Sequence, residues 1–153
     1  MKIAIGADHA GYEEKEKVKK TLDDLGIQYE DFGTTSTESV DYPDYAKKVA
    51  DGVSQGEFEQ GLLVCGSGTG MAIAANKVPG VRAAVAWNEE IARLAREHND
   101  ANVLSLSARY TTPEENDKIV RAWFGAHFDK GRHQRRVDKI SEIEKEEEAA
   151  ANK

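Results

Sequence analysis

The chain has 153 residues, a net charge of −7, 39% hydrophobic residues, 32% charged residues and one cysteine. That length suits one domain around one core, spanning 1–153, and the acidic balance argues against a general nucleic-acid binder. A single cysteine excludes an intrachain disulfide. The histidines lack zinc spacing, and no stretch reads as a secretory leader or a membrane span, so a cytoplasmic protein without a structural metal is expected.

Lys2–Gly6 reads as a short buried strand. Val18, Leu22 and Leu25 recur at helical spacing over Tyr12–Leu25, and Gly26 is placed to stop that helix. Ile27–Phe32 alternates as a second strand, and Gly33–Tyr42 is polar and turn-rich. Pro43 can open a helix that Tyr45, Val49 and Val53 continue. Gly61–Cys65 is a third strand, leading through a glycine loop into a short helix, Gly70–Asn76. Val81–Ala86 is a fourth strand, Asn88 can cap a helix over Glu89–His98, and Ala101–Leu106 is a fifth strand. Thr112-Pro113-Glu114-Glu115 is a capping-box start to a helix ending near Phe124. Residues 138–148 can form a last, very acidic helix, with 149–153 frayed.

Strands alternating with helices predict an α/β fold, a parallel sheet covered on both faces with right-handed crossovers. In such sheets ligands bind beyond the carboxyl ends of the strands. That rim would gather Asp8 and His9, Cys65–Gly70, Trp87-Asn88 and Ser107–Arg109.

The loop Cys65-Gly66-Ser67-Gly68-Thr69-Gly70 is the densest motif. A dinucleotide fingerprint would need a glycine where Met71 stands, and would follow the first strand; a P-loop would need a lysine. A glycine turn into a helix can instead offer backbone N–H groups to a phosphate or a transient oxyanion, or be no more than a tight turn. Cys65 is open to two readings as well: a small buried hydrophobe, or a thiol made a usable base or nucleophile by the N–H groups beside it. His98 can be reactive or can cap the last carbonyls of its helix. Residues 130–136, KGRHQRR, form a basic island whose Arg132, Arg135 and Arg136 suit phosphate oxygens, or balance the acidic tail.

Five stretches taken together resemble the ribose-5-phosphate isomerase B family, which also includes allose-6-phosphate and galactose-6-phosphate isomerases. They are GADHAGYEEKEKV (6–18), ESVDYPDYA (38–46), CGSGTGMAIAANKVPGVRAAVAW (65–87), AREHNDANVLSL (95–106) and GRHQRRV (131–137). The resemblance implies a three-layer, Rossmann-like domain with strand order 2-1-3-5-4. It implies an aldose–ketose isomerase that works through a cis-enediolate, without metal or cofactor. Cys65 would shuttle the proton between C2 and C1, with Ser67 in a position usually held by threonine. The N–H groups of Gly66, Ser67, Gly68, Thr69 and Gly70 would hold the enediolate oxygen. His98 would open the sugar ring, and Asp8 would hold a hydroxyl and help in that opening. His9, Arg132 and Arg136 would take the phosphate, with Asn99 and Arg109 also binding substrate and His133 and Arg135 in support.

The resemblance also implies a homodimer, sometimes a tetramer, in which His98, Asn99, Arg109, Arg132 and Arg136 mostly reach the site from a neighbouring copy. Ser105–Thr112 departs from the family pattern in lacking a glycine before Arg109, which bears on that side chain's pose. The leading activity is interconversion of ribose 5-phosphate and ribulose 5-phosphate. A hexose-6-phosphate isomerase is the near alternative, and a non-catalytic sugar-phosphate sensor is the rival from another class.

Overall fold

A computed structural model describes residues 1–152. Its elements are β1 (Lys2–Ala7), α1 (Tyr12–Asp24), β2 (Gln28–Asp31), α2 (Tyr42–Ser54), β3 (Gln60–Cys65), α3 (Thr69–Ala75), β4 (Ala83–Val85), α4 (Glu89–Asn99), β5 (Val103–Ser107), α5 (Pro113–Phe124) and α6 (Arg132–Ala151). The five strands form one parallel sheet in the order β2-β1-β3-β5-β4. Register carries the chemistry-bearing ends together: Ala7 lies beside Val64, and Cys65 beside Ser107.

Strand side chains alternate between two buried layers, as period two requires. Ile3, Ile5, Leu62, Val64, Leu104 and Leu106 face α1, α4 and α5. Ala4, Leu63, Cys65 and Val103 face α2 and α3. Both faces are therefore dry, and each fully buried Leu or Ile contributes roughly 1.5–3 kcal/mol of transfer free energy. Gly61 lets α2 approach closely, since a Cβ there would sit 2.6 Å from Val49 Cγ1. Trp123 is fully buried and donates its indole N–H to Gln60 Oε1 at 2.7 Å, whereas Trp87, after β4, is 59% exposed.

The expected helix starts hold where the sequence named a cap. Asn88 Oδ1 accepts from the Ile91 N–H at 2.9 Å, and Thr112 Oγ1 accepts from the Glu115 N–H at 3.1 Å. Most boundaries shift by one or two residues, β5 for example running Val103–Ser107 rather than Ala101–Leu106, and those of β4 and the last helix have a visible cause. β4 keeps only Ala83–Val85, because Arg82 N–H turns to the Asn102 side chain at 2.7 Å instead of the sheet ladder. The last helix begins at Arg132, not near 138, because Lys130 and Gly131 take positive φ (59° and 51°) and break the chain directly before the arginines. It also continues through Ala151, as a run of strong helix formers favours, so 149–151 are helical rather than frayed; Lys153 lies outside the described residues. Among the described residues α6 buries only Val137, and Ile140 and Ile143 face outward. Among the described residues no helix is long and apolar enough to cross a membrane.

Candidate active site

The carboxyl ends of β1, β3 and β5 enclose a cleft of about 440 Å³, lined by Asp8, His9, Tyr42, Cys65, Ser67 and Arg109 with the glycine loop. Each wall is fixed by backbone geometry. After β1 the chain turns so closely onto β3 that a Cβ at Gly11 would lie 2.2 Å from the Val64 carbonyl oxygen. That turn lets Asp8 N–H reach Val64 O, and the buried Asp8 Oδ1 accepts the Gly11 N–H at 2.9 Å. His9 Nδ1 accepts the Val40 N–H at 3.0 Å, which places the ring proton on Nε2 as a donor.

A buried cation holds the neighbouring loop. Lys15 is fully buried, and its Nζ donates to both Asp31 oxygens at 2.7 and 2.6 Å and to the Thr34 carbonyl at 2.8 Å. Burial pushes the Asp31 carboxyl up, but hydrogen bonds from Lys15, Lys19 and the Gly33 N–H outweigh it and hold it below the usual carboxylate range. Thr34 and Gly33 in turn exchange backbone bonds with Ala7 at 2.6 Å each, so the ion pair braces the residue before Asp8.

Cys65 ends β3 with its side chain toward α2 and α3, 5% exposed at the floor of the cleft. The Gly68 N–H donates to its Sγ at 3.1 Å. Gly68 adopts φ +83°, and a Cβ there would press on the Leu106 carbonyl at 3.1 Å. The left-handed turn swings its N–H back to the sulfur. The Thr69 N–H is likewise committed, to Ser67 Oγ at 3.2 Å. Continuing β5 pins the loop from the other side: Ser105 Oγ donates to Gly68 O at 2.6 Å, Ser107 Oγ to Gly66 O at 2.8 Å, and Arg109 N–H to Gly66 O at 3.0 Å. Gly66 and Gly70 admit close neighbours; a Cβ would fall 3.3 Å from Arg109 Nη1 and 2.6 Å from the Tyr42 ring respectively.

Asp8, His9, Cys65, Gly66, Ser67, Gly70 and Arg109 thus meet in one cleft. Arg109, grouped by the sequence reading with residues from a neighbouring copy, lines the cleft of its own chain, because the Arg109–Gly66 backbone bond sets it there. His98, Asn99, Arg132 and Arg136 form a second group. α4 leaves the carboxyl rim at Asn88 and runs back along the sheet for eleven residues, about 16 Å at 1.5 Å per residue. Its far end is tied to the opposite rim, where Arg82, just before β4, donates to the Asp100 carbonyl at 2.9 Å. There His98 stacks on His133, centroids 4.1 Å apart and planes 12° from parallel. Arg132 and Arg136 sit nearby on the first turns of α6, both exposed. Partial burial, then His98 and the Arg132 guanidinium, push the His133 imidazole below its usual range.

Sequence reasoning passed over Tyr42, Lys15, Ser105 and Asp129, and placed Ser107 on the rim without its loop contact. Ser105 left a legible signal with Ser107: serines at alternate positions of an otherwise apolar strand point at one shared target.

The family model described as Ribose/Galactose Isomerase matches residues 3–140. Ribose-5-phosphate isomerase B of Escherichia coli is 46% identical over 143 residues, covering 94% of this chain and 96% of that one. The structure of Clostridium thermocellum ribose-5-phosphate isomerase B superposes with a TM-score of 0.93 at 51% identity, covering 95% of this chain and 99% of the other. A Mycoplasma genitalium ribose-5-phosphate isomerase B with bound ribulose-5-phosphate gives a TM-score of 0.90 at 45% identity, covering 95% and 97%.

Proposed function

Because the chain belongs to the ribose/galactose isomerase family and is an isomerase, we propose that it interconverts ribose 5-phosphate and ribulose 5-phosphate in the Cys65 cleft. One observation carries this reading: the only sulfur of a cysteine in the chain lies at the cleft floor and accepts a backbone N–H from Gly68. A carbon acid needs a base within reach of two adjacent carbons, and a thiolate accepting an N–H bond is such a base.

In this reading Cys65 removes the proton from C2 of the open aldose and returns it to C1. The charge that develops passes to the cis-enediolate oxygens, and the O2 hydroxyl proton moves to O1, relayed by the Ser67 hydroxyl, as the C2 carbonyl forms. The Ser67 hydroxyl and the loop N–H groups not already spent within the loop face those oxygens. Asp8, anchored by the Gly11 N–H, holds a sugar hydroxyl, and Arg109 closes the wall beside Gly66. His9 Nε2 donates toward the phosphate, joined by Arg132 and Arg136. His98 opens the furanose ring, with Asn99 beside it.

The course of α4 supports a shared site. His98 and Cys65 lie on opposite rims of one chain, so the two groups work together where His98, Asn99, Arg132 and Arg136 of one copy reach the cleft of another. We assign the working unit as a homodimer for that reason. Light scattering of the active enzyme checks the assignment, a monomer with full turnover being the contrary result.

The test of the function is Cys65→Ala. Turnover of ribose 5-phosphate should fall by about three orders of magnitude or more, with sugar-phosphate binding retained in calorimetry. Unchanged turnover removes Cys65 from the chemistry. Assaying ribose 5-phosphate beside allose 6-phosphate and galactose 6-phosphate decides the substrate: a hexose preferred about tenfold or more in kcat/KM replaces the pentose assignment.

A further inference from the structure

The cluster at the far end of α4 carries one step more, resting on the reading above for the role of His98. Three segments meet there: His98 on α4, Asp129 in the loop after α5, and His133 on α6. One ring nitrogen or carboxylate oxygen from each lies within 4.8 Å of the other two. Backbone braces them. Asp129 N–H donates to the Glu97 carbonyl at 3.0 Å, and His133 N–H donates to the Lys130 carbonyl at 2.9 Å.

The charges facing the cluster decide what it can hold. On α4, Glu97 is paired with Arg93 at 2.6 Å, while Asp100 is shared by Arg96 and Arg82 at 3.3 Å each, which leaves one positive charge in excess there. α5 turns its Asp117 and Arg121 toward Thr21 and Asp24 of α1. The loop brings Asp129 and Lys130, and α6 brings Arg132 and Arg136. Two imidazolium ions stacked at 4.1 Å beside two guanidiniums would repel strongly. One proton, drawn by Asp129, is the favourable load.

We propose that His98, His133 and Asp129 form a one-proton unit, in which His133 and Asp129 are positioning residues that set the protonation of His98 for ring opening. During ring opening His98 gives a proton to the ring oxygen as the bond from C1 to that oxygen breaks. The electron pair of the C1 hydroxyl oxygen closes the carbonyl, and the proton leaving that hydroxyl returns to His98. The unit ends with the proton count it began with. His133, stacked alongside, keeps a second proton off the pair throughout.

The chain has four histidines, so their imidazole signals are assignable one by one in labelled full-length protein by single His→Gln variants. In His98→Gln the His133 titration midpoint should rise by about half a pH unit or more, and in Asp129→Asn it should fall. A His133 midpoint unmoved in both variants overturns the unit; should His98→Gln fail to fold, the Asp129→Asn arm decides alone. In turnover, His133→Gln should move the acid limb of the ribose 5-phosphate pH profile to higher pH, since the coupling is reciprocal. A raised KM with an unmoved profile would mean that His133 only binds phosphate, and overturns the positioning role. The spectroscopic result needs no turnover. Coupled imidazoles in a chain that fails to isomerise ribose 5-phosphate keep the unit and sink the activity, while normal turnover with independent imidazoles does the reverse.

Discussion

The Cys65 cleft and the His98 patch are built by opposite means. The cleft is assembled from three strand ends whose backbone groups bond one another, and its side chains are placed by residues that cannot be exchanged without a clash: Gly11 against Val64, Gly68 against Leu106. The patch is assembled from side chains at the end of one helix and the start of another, on a helix that buries Val137 alone among the described residues. Rigid backbone suits the carbon base proposed at Cys65, where small displacements are costly. Long, exposed side chains suit a charged group that must be gripped and released. Substitutions should therefore separate the cleft from the patch arginines: cleft changes should damage stability and turnover together, changes at Arg132 and Arg136 only affinity.

The largest effect is expected at Gly68→Val. A β-branched side chain at φ +83° against the Leu106 carbonyl forces the loop open and removes the N–H from Cys65 Sγ, so kcat should drop by about two orders of magnitude or more. Wild-type kcat from that variant would mean the loop is not the rigid element argued for.

Next comes Lys15→Met. It leaves Asp31 with Lys19 as its remaining cationic partner and should cost about 2–3 kcal/mol in urea unfolding, below the range for a fully buried pair because Asp31 is 22% exposed. The pH dependence sharpens this. The Asp31 carboxyl is held below its usual range, so its share of stability is full above the ordinary carboxylate pKa and is lost as pH falls through the lowered value. Lys15→Met should flatten that acid-side loss; an unchanged slope below pH of about 4 would remove Asp31 as its source.

Arg132→Ala with Arg136→Ala should raise KM for ribose 5-phosphate by about tenfold or more, with stability within about 0.5 kcal/mol of wild type. A loss of stability instead would erase the contrast between patch and cleft. Smallest is Asn88→Ala at the start of α4, which should cost about 1 kcal/mol through the lost cap and leave kcat unchanged.

What could be read from residues alone follows the same division. Alternating strands and helices, the rim that gathers Asp8, Cys65 and Arg109, and the two capping motifs are local patterns, and local patterns survive into the fold. The order 2-1-3-5-4 came only through family likeness, since periodicity does not say which strands pair. The start of α6 was misplaced because its first turns carry no apolar stripe; the break is made by backbone angles at Lys130 and Gly131. Lys15 was hidden because a lysine on an amphipathic helix reads as solvent-facing, and its partner Asp31 arrives from another strand end. Tyr42 was hidden because only the packing of its ring on Gly70 brings it to the cleft. The meeting of His98 with His133 depends on two helices docking, a fact no spacing rule encodes.

The two tryptophans give this enzyme a built-in optical division of labour. Trp123, sealed behind the sheet with its indole bonded to Gln60, should emit at short wavelength and shift red only when the domain melts. Trp87, out on the rim after β4, should answer to iodide quenching in the native protein. One emission spectrum can then follow global melting and rim accessibility as two separate colours.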